Sequence, residues 1–118
     1  MDNSIGGRVT GKLTRYAQAA FVSAFGEAGQ GASPDIRPTT DARFGDYQVN
    51  GVLPLAKALK DNPRKLAEKF VAAFDSEGMT LAPEIAGPGF VNLRLDPRWL
   101  ERELLAAWRG LGIVQGDL

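Results

Sequence analysis

Apolar positions along the chain follow two rhythms, one of three and four residues and one of two. Over residues 10–25, Leu13, Tyr16, Ala17, Ala20, Phe21, Ala24 and Phe25 recur at helical spacing, which predicts an amphipathic helix. Gly26 stops it, and Gly29, Gly31 and Pro34 continue as loop. Residues 35–40 hold Ile36 and two threonines, while Pro38 confines them to an edge strand or an extended loop. Residues 46–60 carry Val49, Val52, Leu53, Leu55, Ala56 and Leu59, a pattern that fits a second helix. Gly51 and Pro54 within it imply a kink or a late start, because proline lacks the amide hydrogen and crowds the preceding turn.

The remaining elements carry clearer punctuation. Asn62 caps a third helix with Pro63 at its first position, and Leu66, Ala67, Phe70, Val71 and Phe74 form its apolar stripe. After a turn at residues 75–78, short strands are expected near 82–86 and 90–95, joined by Gly87-Pro88-Gly89. Asp96-Pro97 repeats the cap signature and opens a last helix with Trp99, Leu100, Leu104, Leu105 and Trp108, ending at Gly110. No internal repeat or low-complexity segment interrupts this order. The expected fold is α+β: a small antiparallel sheet covered on one side by about four helices. Val91, Leu93 and Leu95 should be buried with Phe21, Leu66, Phe70 and Leu104.

Composition narrows the function more than the fold. At 118 residues there is room for one domain, and 44% hydrophobic with 24% charged residues is ordinary for a globular chain. No run approaches the ~20 apolar residues of a membrane span, and the N-terminal residues lack a secretory apolar stretch, so a soluble, cytoplasmic chain is expected. There is no cysteine and no histidine. Thiolate catalysis, histidine general-base chemistry and Cys/His zinc sites are thereby excluded. The nearest carboxylate pair, Asp41 and Asp46, is close in spacing only, and no catalytic or metal-ligating set emerges. Fourteen basic residues balance fourteen acidic ones. A free-standing nucleic-acid binder usually carries a basic excess, so any such role suits a reader attached to something larger.

Candidate binding chemistry gathers on the strand GFVNLRLD. Alternation puts Val91, Leu93 and Leu95 on one face and Phe90, Asn92 and Arg94 on the other, successive members about 7 Å apart. A ring to stack on, an amide for a base edge and a cation for a phosphate suit one unpaired base. The plainer reading packs Phe90 under a loop and leaves Asn92 and Arg94 solvated. RFGDYQVN offers Arg43, Phe44, Asp46, Tyr47, Gln48 and Asn50, of which Tyr47, Gln48 and Asn50 are secondary candidates; the plainer reading is a turn at Gly45, a helix cap at Asp46 and an anchoring Tyr47. Residues 57–69 hold five basic side chains, of which Lys65 could meet a phosphate, although such a run is ordinarily a solvated helix face. Gly87-Pro88-Gly89 matches no phosphate-binding fingerprint and reads as a turn.

RFGDYQVNGVLPLAKALKDNPRKLAEKF followed by PEIAGPGFVNLRLDPRWL resembles the N-terminal appended domain of arginyl-tRNA synthetase. The resemblance covers roughly residues 10–112 of a domain taken as 1–118, and the family's catalytic domain, with its His-x-Gly-His-type motif, is absent from this chain. It implies a reader of arginine tRNA that reaches the outer corner and contacts the D loop around nucleotide 20. In that family the contact falls on the aromatic and the amide after the Gly-Pro-Gly turn, here Phe90 and Asn92. Some members carry Tyr at the first position or Gln at the second, and Phe90 keeps the stacking face without a hydroxyl. The resemblance further implies a partner in the catalytic domain of the same enzyme. It implies no cofactor in this domain, ATP with Mg serving the parent ligase, and neither DNA nor membrane as a partner. The competing reading is a docking module that packs against a catalytic body or another subunit, favoured by an exposed Trp99 or Trp108.

Overall fold

The computed structural model describes residues 5–110. Its longest element is α1 (Ile5–Phe25), which begins about a turn before the predicted start and buries Val9, Leu13, Ala17, Ala20 and Phe21. Gly26 ends it at a positive φ of 61°, and the expected loop holds one extra helical turn, α2 (Glu27–Gln30). Then come β1 (Ile36–Pro38), a 3₁₀ turn at Ala42–Phe44, β2 (Tyr47–Val49), α3 (Val52–Leu59) and α4 (Pro63–Ala73). The strands β3 (Glu84–Ala86) and β4 (Phe90–Leu93) and the helix α5 (Pro97–Gly110) complete the order. The expected domain limit near residue 112 lies outside the described residues.

One four-stranded antiparallel sheet runs in the order β1-β2-β4-β3. As its proline requires, β1 takes an edge. The helix expected from residue 46 is corrected: 47–49 form an inner strand, and the helix starts late, at Val52. Tyr47 and Val49 turn toward the core while Gln48 lies on the opposite face, an alternation that pairing with β4 fixes. Pro54 then falls in the first turn of α3, where its missing amide hydrogen costs nothing.

Sheet and helices share one core. Val49, Val91 and Leu93 meet Phe21 of α1, Val52 of α3, and Leu66 and Phe70 of α4. Phe21 and Phe70 pack edge to face at 5.3 Å, and Phe70 stacks on Phe74 at 5.4 Å. Two burial expectations are corrected. Leu95 is half-buried, beyond the end of β4 in an isolated bridge to Thr80. Leu104 is also only half-buried, because α5 leans on α1 at one end and buries no residue fully. That attachment is Trp99 against the core, with the Lys12 Nζ 5.6 Å from its ring centre, and Arg8 bonded to Glu103 at 2.7 Å.

Both predicted caps form. Asn62 Oδ1 accepts from the amides of Arg64 at 2.9 Å and Lys65 at 3.4 Å, and Asp96 Oδ1 accepts from the Arg98 amide at 2.9 Å. Asn62→Ala should cost about 1 kcal/mol of stability, read as a lower urea midpoint with an unchanged slope. Among the described residues, no helix is long and apolar enough to cross a membrane.

Candidate functional site

The sheet face away from the helices carries a single polar row. Register places Arg37 opposite Gln48, Gln48 opposite Asn92, and Asn92 opposite Glu84. The neighbouring row, Ile36, Val49, Val91 and Ile85, lies on the other face, so the predicted faces of β4 are correct. Asn92 is nevertheless not solvated: only 6% of it is exposed. It sits on an inner strand, flanked across the sheet by the longer side chains of Gln48 and Glu84 and along the strand by Phe90 and Arg94. Its Oδ1 accepts from Gln48 Nε2 at 3.0 Å. That bond fixes the amide's orientation and leaves Asn92 Nδ2 and Gln48 Oε1 as a donor and an acceptor for a ligand. Phe90 is half-buried, its ring edge 3.5 Å from where a Cβ on Gly87 would stand, in the turn that precedes β4.

Arg94 has a different set of partners from those expected. Its Nη1 donates to Ala42 O at 2.9 Å and its Nη2 to Arg43 O at 3.1 Å. Two donors that could meet a phosphate therefore hold the 3₁₀ turn onto the sheet. Asp41 caps that turn through the Arg43 amide and pairs with the Arg43 guanidinium at 2.7 Å. These bonds hold the Asp41 carboxyl below the usual carboxylate range. Gly45 closes the turn at φ 83°, and a Cβ there would lie 2.6 Å from Leu93 O, so both conformation and space require glycine. Asp46 caps no helix. Its amide donates to Leu93 O at 2.8 Å and its Oδ2 accepts from the Leu95 amide at 2.8 Å, which ties β2 to the end of β4.

The secondary candidates divide. Gln48 and Asn50 lie at the polar face, with Asn50 Nδ2 donating to Gln48 O at 3.1 Å. Tyr47 packs against the core instead. Lys65 is exposed on the first turn of α4, beside Arg64, whose Nη1 donates to Gly87 O at 2.9 Å. Sequence reading did not single out Arg37 and Thr39, which with Phe44, Gln48 and Asn50 line a cleft of about 360 Å³ beside the 3₁₀ turn. Among the described residues, no three Asp or Glu side chains converge in a way that could hold a metal ion.

Fold and face together define the class: an α+β module with helices on one side of an antiparallel sheet and a preset aromatic and amide surface on the other. Residues 12–95 match the sequence family described as the arginyl tRNA synthetase N terminal domain. The chain belongs to that family. It is 51% identical over 108 residues to the arginine–tRNA ligase of Chromobacterium violaceum, covering 86% of this chain and 18% of that one. It is 48% identical over 96 residues to the arginine–tRNA ligase of Saccharophagus degradans, covering 78% and 17%. The chain thus spans less than a fifth of the length of these relatives. Among solved structures, the arginyl-tRNA synthetase of Thermus thermophilus aligns with a TM-score of 0.61 at 26% identity, over 79% of this chain and 16% of that one. The enzyme from Plasmodium falciparum, at 21% identity and a TM-score of 0.67 over 81% and 17%, shares the fold.

Proposed function

We propose that the chain is the tRNA-reading domain of an arginine–tRNA ligase and contacts the D loop of arginine tRNA, in the region of nucleotide 20, through the outer sheet face. The domain contributes recognition and no chemistry, while ATP, Mg and arginine are handled by the catalytic domain of the same cytoplasmic enzyme. One observation carries this reading: the Asn92 amide, locked by Gln48 beside the Phe90 ring, supplies a preset donor next to a stacking surface. An unpaired base needs little else. The balanced charge fits a partner that reads one base and leaves most of the affinity to the rest of the enzyme.

The test is a charging assay with the full-length enzyme on tRNAs altered at the D-loop base. Phe90→Ala should weaken charging by roughly 1–3 kcal/mol through lost stacking. Asn92→Ala should cost a similar ~1–3 kcal/mol and flatten discrimination among the base variants, because the donor that reads the base edge is gone. Lys65→Ala should shift charging little and only in low salt. ATP and arginine affinities should stay unchanged in every variant. If Asn92→Ala discriminates among the tRNAs as sharply as wild type, the amide is not the reader.

Docking against the catalytic body is a compatible second role with its own observation. Beyond Trp99 on the core, Leu100, Leu104, Leu105 and Trp108 form an apolar face of α5 that is not packed on the core of the described residues, with Trp108 47% exposed. Aromatic side chains in such a face suit an interface core.

A further inference from the structure

We infer that the cleft beside the 3₁₀ turn is a second nucleotide site, taking an unstacked RNA base that neighbours the one read by Asn92. The inference rests on the tRNA-reading role proposed above and extends it to Phe44, Thr39 and Thr40, which that role does not use, with Gln48 shared between the two. Phe44 is 41% exposed, the one aromatic side chain so exposed on this face of the described residues. Its position is fixed from three sides although its ring is open. Arg94 clamps the carbonyls of Ala42 and Arg43, Asp41 caps the turn, and the Thr39 hydroxyl donates to Gly45 O. The Arg43 guanidinium lies 5.5 Å from the ring centre. A ring carried on so fixed a backbone and flanked by a guanidinium is a stacking surface for any base.

The rest of the cleft is polar in the way a base edge and its sugar require. Gln48 and Asn50 bring amide groups, Thr39 and Thr40 hydroxyls, and Arg37 a guanidinium, around a space of about 360 Å³. Such a space is at the small end of ligand pockets, suited to a single base and ribose. Continuity with the first site comes from Gln48, which lines this cleft and also bonds Asn92 on the next strand. Adjacent strands lie about 4.8 Å apart, so Gln48 and Asn92 are close enough for neighbouring nucleotides of one RNA strand to reach both. Arg37 and Arg43 are each paired with a carboxylate, Asp35 and Asp41. The attraction is therefore to a stacked base more than to phosphate charge, and it should change little with salt.

The test is an NMR titration of the ¹⁵N-labelled 118-residue chain with an RNA stem-loop carrying the D-loop sequence, followed at the amides of Phe44, Gly45, Gln48, Asn50, Phe90 and Asn92. Shifts are expected at both the 3₁₀ turn and β4. Phe44→Ala should weaken binding roughly 5- to 150-fold, the range of one stacked base, and Phe44→Trp should restore it. Phe44→Ala should leave the preference for the base read by Asn92 unchanged. Shifts confined to Phe90 and Asn92, or an unaltered affinity in Phe44→Ala, would overturn the second site and leave the first standing. A titration that moves neither group up to millimolar RNA would overturn both.

Discussion

Phe70→Ala should destabilise the domain by roughly 3–5 kcal/mol, the usual cost of emptying a buried aromatic position. Phe70 is fully buried where α4 crosses α1, edge to face with Phe21 at 5.3 Å and stacked on Phe74 at 5.4 Å. Removing the ring forfeits its burial and two aromatic contacts, each worth about 0.5–1.5 kcal/mol beyond area. The backbone around it cannot close the gap, because Leu66 and Ala67 of the same helix are themselves packed in the core. A domain of this size holds about 5–15 kcal/mol in all, so roughly a fifth or more of its stability is at stake. Urea unfolding of wild type and variant measures the loss. Phe44→Ala is the internal control, since its exposed ring should change the urea midpoint by less than about 0.5 kcal/mol in equivalent terms. A loss below about 1 kcal/mol for Phe70 would mean that the aromatic cluster does not hold α1 to α4.

What could be read from the chain in advance depended on how local its cause was. The starts of α4 and α5 were legible because Asn62-Pro63 and Asp96-Pro97 satisfy their own helix ends within three residues. The faces of β4 were legible because alternation is a property of the strand alone. β2 was not, because three residues of period two run straight into the apolar residues of α3, and only pairing with β4 separates them. The burial of Asn92 was hidden for a related reason: its neighbours Gln48 and Glu84 come from other strands. Arg94 was legible as a cation but not as a clamp, since the carbonyls it holds lie 52 and 51 residues earlier. Leu104 had the right spacing for a core position, yet periodicity names an apolar face without saying what covers it.

Gly51→Ala should be as damaging as the loss of a core aromatic, by the opposite mechanism. The backbone at Gly51, with φ −75° and ψ −12°, is open to any residue, so conformation is not the obstacle. Space is. A Cβ would stand 2.0 Å from Ser33 O and 2.7 Å from Pro34 O, and both neighbours are backbone that no side-chain rotation can move. The Gly51 amide also donates to Pro34 O at 2.9 Å, and the Asn50 amide to Asp35 O at 3.0 Å. A methyl group therefore pushes apart the two bonds that join the segment before β1 to the end of β2. Overpacking costs about 1–3 kcal/mol where side chains can yield, and here the expected loss is about 3 kcal/mol or more. Because Gln48 and Asn50 sit just before this junction, the damage should reach the polar sheet face proposed to bind tRNA as well as the core. A correctly folded Gly51→Ala chain should show shifted Gln48 and Asn50 amide resonances, an Asn92 side chain freed from Gln48, and weaker binding of the D-loop RNA. Wild-type stability together with an unmoved Gln48 would show that the approach of Ser33 and Pro34 to Gly51 is not what sets the position of β2.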